Sequence, residues 1–158
     1  MIENIGFMQG RLSPMIEGKI QAFPWGCWQH EILAAKNIGI NIMEWTLDQE
    51  RLYDNPLMTS SGQREITSLC KKHDFFIPSL TGDCFMQAPF WKASDAVTCE
   101  KLKADFKAII SACGNIGIEF VVVPLVDDGS LDDMQQENIL VDFLLQQQNH
   151  IRELGVRI

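Results

Sequence analysis

Four side chains in this sequence sit where an apolar run gives way to polar residues: Arg11 in "MQGRLSP", Glu44 and Trp45 in "EWTLD", and Asp83 in "SLTGDCFM". The guanidinium of Arg11, just after Gln9 and Gly10, can bind a carboxylate or phosphate through two parallel N–H donors. Its plainer alternative is a surface pair with a neighbouring carboxylate. Glu44 is embedded in the apolar stretch "INIMEW". A carboxylate buried there without a partner would be too costly, so it either faces a polar mouth or pairs with a cation such as Arg11. Trp45 is either a flat apolar wall suited to the C–H face of a sugar or a core side chain. Asp83 is either a polar contact or a turn aspartate following Gly82. These residue types bind and orient a small polar molecule, and none of them is singled out as catalytic.

Other residues fit chemistry less well. His30, His73 and His150 fall within or at the ends of helical patterns and have no second ligand at metal spacing, so surface or packing roles are expected. The acidic run of Asp127, Asp128, Asp132 and Asp133 reads as a loop and a first helical turn, where the macrodipole favours negative charge. It lacks the alternating oxygen ligands and closing glutamate of a calcium loop. The five cysteines are odd in number, scattered and without a CxxC pair, which fits free thiols in a reducing compartment. Cys84, on a strand-end loop, is the best placed of them for chemistry.

The elements that must position these side chains alternate regularly. "IENIGFM" (2–8), "INIMEW" (40–45), "FFIPSL" (75–80) and "IEFVVVPLV" (118–126) read as strands. Most are near-continuously apolar, the mark of a parallel sheet covered on both faces. Helical periodicity spans about 25–37, 61–73, 95–115 and 132–154. Its apolar stripes include Trp28, Ile32 and Ala35; Ile66, Leu69 and Cys70; Leu102, Phe106, Ile109, Ile110 and Cys113; and Leu140, Phe143, Leu144, Ile151 and Leu154. Pro24, Ser60 or Ser61, Ser94, and Ser130 or Asp132 stand at the helix starts, and Gly114 or Gly117 and Gly155 at two of the ends. "KNIGINIMEW" and "GNIGIEFVVV" both close a helix on Ile-Gly-Ile and launch a strand, an internal echo of a βα repeat.

Strand starts recur every ~35–43 residues, and eight such units need about 300 residues, the span of a (β/α)₈ barrel. The 158 residues hold four units and then "VRI", the start of a fifth strand. The expected fold is therefore α/β, a parallel (βα)₄ half of a TIM barrel in a single domain, 1–158. A small open α/β sheet with "VRI" as its edge is the alternative. It lacks a GxGxxG or GxxxxGK[ST] loop after its first strand.

Composition narrows the partners. With 46% hydrophobic and 22% charged residues the chain is of ordinary globular type. A net charge of −8 repels phosphate backbones and anionic lipid, so neither nucleic acid nor membrane is an expected partner. No apolar run has the length of a membrane span, and "MIENIGFMQGR" lacks the pattern of a signal peptide, so a cytoplasmic location is expected.

The segments "IGFMQGRLSP", "IQAFPWGCWQHE", "IGINIMEWTLD", "NPLMTSSGQREI" and "IPSLTGDCFMQAP", in this order and spacing, resemble the sugar phosphate isomerase/epimerase family, the xylose isomerase-like barrels. The resemblance runs along essentially the whole chain. It implies carbohydrate metabolism on a ketose or ketose phosphate, with two carboxylates moving a proton beside the carbonyl and a divalent Mn, Mg, Co or Zn polarising the oxygens. In that family the metal is held by residues of strands five to eight, of which the first, a glutamate, would follow shortly after Ile158. The resemblance thus carries over no metal ligand and no cofactor to this chain. It carries over substrate-binding roles for Arg11, Glu44, Trp45 and Asp83.

The expectation that follows is a truncated, inactive half-barrel. Its exposed sheet edges and inner face, with one of each alternating set among Ile42, Ile77, Val121 and Val123 pointing inward, would drive homo-oligomerisation. The alternative function is a non-catalytic half-barrel that assembles with itself or with a partner chain. A related endonuclease IV-type repair barrel needs a basic surface and many histidine ligands, which this composition does not provide.

Overall fold

A computed structural model of the protein describes residues 5–16, 18 and 22–158. Four parallel strands, β1 (Gly6–Met8), β2 (Ile42–Thr46), β3 (Phe76–Thr81) and β4 (Phe120–Val122), lie side by side in chain order. Helices α1 (Trp28–Asn37), α2 (Ser60–His73), α4 (Ala96–Ile116) and α5 (Met134–Glu153) follow them in turn, with a short α3 (Asp83–Gln87) directly after β3. This is the parallel (βα)₄ half of a (β/α)₈ barrel. Beyond β4 a parallel bridge joins Phe120 to Arg157, so the start of a fifth strand lies where the spacing placed it. Residues 2–4 of the first expected strand lie outside the described residues.

The helices form where the apolar periodicity runs, but their caps fall one residue away from the serines and aspartate expected. The side chains of Thr59, Asp95 and Asp133 accept the N–H of Gly62, Thr98 and Gln136. Each satisfies an orphan donor of the first turn. The α1 helix begins three residues later than expected, because residues 25–27 form a turn. Gly117, left-handed at φ 83°, ends α4. The α3 helix was not foreseen: its five residues are too few to show a periodicity.

The strand register sorts side chains onto two faces. Met43, Trp45, Leu80 and Val121 are buried in the core with Ile32, Phe106 and Ile110 of the helices. The opposite, inner face carries cross-strand rows in register: Gly6, Ile42 and Phe76; then Met8, Glu44, Ser79 and Phe120; then Thr46, Thr81 and Val122. Of the alternating sets named from the sequence, Ile42 lies in an inner row, whereas Ile77 and Val121 are buried and Val123 packs against the core. Phe76, Phe120 and Val122 are the large apolar side chains exposed there. A register shift separates the Ile42–Phe76 pair from the Glu44–Ser79 pair of β2 and β3. It coincides with Pro78, which has no N–H to give a ladder.

Candidate functional site

The C-terminal ends of the strands open into a cleft of about 850 Å³. Its floor comes from Met8 of β1, Thr81 of β3 and Val122 of β4, and its walls come from the connecting segments. One wall is the segment after β1, which carries Phe23 and Trp25; another carries Asp48, Glu50 and Arg51 after β2; a third carries Asp83, Met86 and Gln87 after β3. Asp127, after β4, completes the rim.

The loops are tied to one another by side chains. Gln9 is fully buried, and its Oε1 accepts the N–H of Thr46 at 3.2 Å while its own N–H donates to Glu44 O at 2.9 Å. That extends the β1–β2 pairing past the last strand residue. Asp48 Oδ1 accepts from Gln87 Nε2 at 2.8 Å, and Gln87 Oε1 accepts from Gln49 N at 2.7 Å, clasping the second and third loops together. The guanidinium of Arg51 lies 3.9 Å from the centroid of the Trp25 ring, and its Nε is 3.1 Å from Asp54 Oδ2. Phe23 meets Trp25 edge-on at 4.8 Å between centroids. Trp25 is thus a half-exposed indole, braced by a guanidinium and a phenyl ring, on the wall of a cleft.

The four sequence candidates separate. Asp83 opens α3, is nearly enclosed and lines the cleft. Glu44 is half-buried on the inner face, where its Oε1 accepts the Thr81 hydroxyl at 2.7 Å. Its partner is thus a neighbouring strand's hydroxyl, and among the described residues no ion pair joins it to Arg11. Arg11 is exposed on the loop after β1 and does not line the cleft. Trp45 is a correction. It is fully buried, packs against Phe23 and Trp28, and donates its indole N–H to Asn55 Oδ1 at 3.2 Å, so it is a core residue rather than a pocket wall. Strand alternation decides this: Glu44 faces inward, so its neighbour faces the helices.

Cys84 is also enclosed, and burial pushes its thiol far above the ordinary range, which removes the thiolate a nucleophile needs. The indole wall that the sequence reading placed at Trp45 is supplied by Trp25, whose place next to Pro24 in "FPWGCW" gave no strand-end signal. Among the described residues no group of three or more His, Cys, Asp or Glu side chains is arranged to hold a metal ion. The divalent ion implied by the resemblance therefore does not fit these residues.

No family model matches the sequence, and no curated protein matches it. Solved structures do. The chain is similar to a D-psicose 3-epimerase from Clostridium cellulolyticum H10 in complex with D-tagatose, with a TM-score of 0.69 and 11% identity over 96% of this chain. It is likewise similar to a D-psicose 3-epimerase in the presence of D-fructose, with a TM-score of 0.65 and 13% identity over 96% of this chain. The chain spans about half the length of both, 49% and 50% respectively. At these identities the likeness is one of fold, and it agrees with the half-barrel read from strand order.

Proposed function

We propose that the chain is the N-terminal half-barrel, one domain over residues 1–158, of a ketose or ketose-phosphate isomerase/epimerase-like protein, and that its role is to bind and orient the sugar. The observation that supports this reading most is the cleft itself. An indole face on one wall stands among the carboxylates of Asp48, Glu50, Asp83 and Asp127, which suits a ligand with an apolar C–H face and a hydroxyl-rich rim. Asp83 contacts hydroxyls directly, Glu44 acts through the floor it shares with Thr81, and Arg11 serves at the outer rim. The chain alone is without turnover, because its described residues assemble no metal-ligand set for the proton transfer that the resemblance implies. We place it in the cytoplasm on its five free cysteines; no helix among the described residues is long and apolar enough to cross a membrane.

Titration with D-fructose and D-tagatose, followed by tryptophan fluorescence, tests the reading. Trp28, Trp45 and Trp91 are buried, so Trp25 is the reporter. Saturable quenching is expected for the wild type, and Trp25→Phe, followed by calorimetry because it lacks the reporter, should bind about tenfold more weakly, since a lost stacking contact is worth ~1 kcal/mol or more. No response to either sugar or to its phosphate would overturn it, and so would turnover of either sugar by the chain with Mn²⁺.

A second reading rests on a separate observation. Phe76 at 53%, Phe120 at 44% and Val122 at 45% exposure leave an apolar inner face open. It is the reading of a non-catalytic half-barrel that covers this face by assembling with itself or with a partner chain.

A further inference from the structure

The apolar side of α1 contains one residue that does not belong to a core. Glu31 lies among the buried residues Trp28, Ile32 and Ala35 and is itself fully enclosed. Both of its oxygens accept the N–H of Gly10 at 2.9 Å, and Oε1 also accepts the N–H of Leu12 at 3.0 Å. A buried carboxyl group is tolerated only when its oxygens are satisfied, and here the donors among the described residues are main-chain groups of the loop that follows β1. The loop in turn has nowhere else to go. Gly10 is left-handed at φ 91°, and a Cβ on it would come within 2.8 Å of Ala22 O. The same segment is tied further along by Phe23 N–H donating to Asp48 Oδ2 at 3.4 Å.

We propose that Glu31 is a positioning residue of the cleft. It touches no ligand, and it acts through the backbone of Gly10 and Leu12 to hold the Phe23–Trp25 wall at its distance from Thr81 and Asp83. The inference rests on the sugar-binding reading above for its functional half only. Its structural half is that this wall is preformed and is set from behind by one side chain of α1, not by contacts within the cleft.

The test compares wild type with Glu31→Ala and Glu31→Gln by amide hydrogen exchange, acrylamide quenching of Trp25 and D-fructose titration. In Glu31→Ala the Gly10 and Leu12 amides should exchange about 100-fold faster while those of Met43 and Leu80 in the central strands stay within about threefold. Trp25 should become more accessible to acrylamide, and affinity for D-fructose should fall about tenfold. Glu31→Gln keeps one acceptor oxygen and should stay close to wild type in all three measurements. Unchanged protection at Gly10 and Leu12, or a uniform loss reaching Met43 and Leu80, overturns the positioning role. So does a loosened loop with unchanged sugar affinity. If wild type ignores D-fructose, the sugar-binding reading fails, and the exchange and quenching arms still decide whether Glu31 holds the wall.

Discussion

At the level of single side chains, burial separates groups that composition treats alike. Cys84 and Cys113 are enclosed, while Cys27, Cys70 and Cys99 are half-buried. Burial raises the thiol of Cys113 to about 12 and that of Cys70 to about 11, and raises Cys84 further. At about pH 8 iodoacetamide should modify Cys27 and Cys99 first, Cys70 slowly, and Cys84 and Cys113 only after denaturation. Rapid labelling of Cys84 in the folded protein, read by peptide mass spectrometry, would contradict the packing around it. The same logic explains how far the site could be read from the sequence. Asp83 and Glu44 stand out in the sequence as acids beside or within apolar strands; Asp83 lines the cleft, whereas Glu44 does not line it and bonds the Thr81 hydroxyl of its floor. Trp45 ends such a strand, but which of two adjacent strand residues faces inward depends on pairing, which no local signal reveals. Glu31 was not legible at all: as a glutamate at helical spacing it looks like a solvated side chain until its backbone donors, Gly10 and Leu12, are seen.

Among the elements, α2 shows how a loop positions a helix. Asn55 caps the 3-10 turn Pro56–Met58 by accepting from Leu57 N, and Thr59 then caps α2 by accepting from Gly62 N. The two turns are so close that a Cβ on Gly62 would lie 2.2 Å from Pro56 O. Gly62→Ala should therefore destabilise the protein by about 1–3 kcal/mol, the cost of forced overpacking, in spite of alanine's better helix propensity. Gly26, around which a Cβ meets nothing within 4 Å, provides the control: Gly26→Ala should leave the urea midpoint nearly unchanged. Equal midpoints for both variants would show that α2 can shift off the turn. Helix existence and faces were legible here because stripes such as Phe106, Ile109, Ile110 and Cys113 recur at a fixed angle. The capping residue was not, because Thr59, Ser60 and Ser61 are chemically equivalent candidates and only the entering chain direction selects among them.

For the whole molecule, the half-barrel was legible from the spacing of strands and the near-continuous apolar runs, since both follow from a sheet packed between helices and an enclosed interior. The surfaces that a closed barrel would cover are the inner face at Phe76, Phe120 and Val122 and a groove of about 670 Å³ along α5 and the fifth-strand bridge, lined by Val141, Leu145 and Ile158 among others. If the assembling reading holds, light scattering should show the mass rising with concentration. Charged substitution at the inner face, Phe120→Lys with Val122→Lys, should return it to that of a 17.9 kDa monomer. A wild-type protein that stays monomeric and soluble at high concentration rules that reading out.

The extra residue that Pro78 introduces into the third strand has an effect on parity. Counted in simple twos from Phe76, the side chains opposite Glu44 and Thr46 would be Pro78 and Leu80; with one residue skipped they are Ser79 and Thr81. The skip thus absorbs one surplus peptide unit that would otherwise turn an oily base toward the cup in place of a hydroxylated one. Excising Pro78 should therefore remove the skip and leave the parity intact, with Ser79 and Thr81 still opposite Glu44 and Thr46 and the Thr81 hydroxyl still on Glu44.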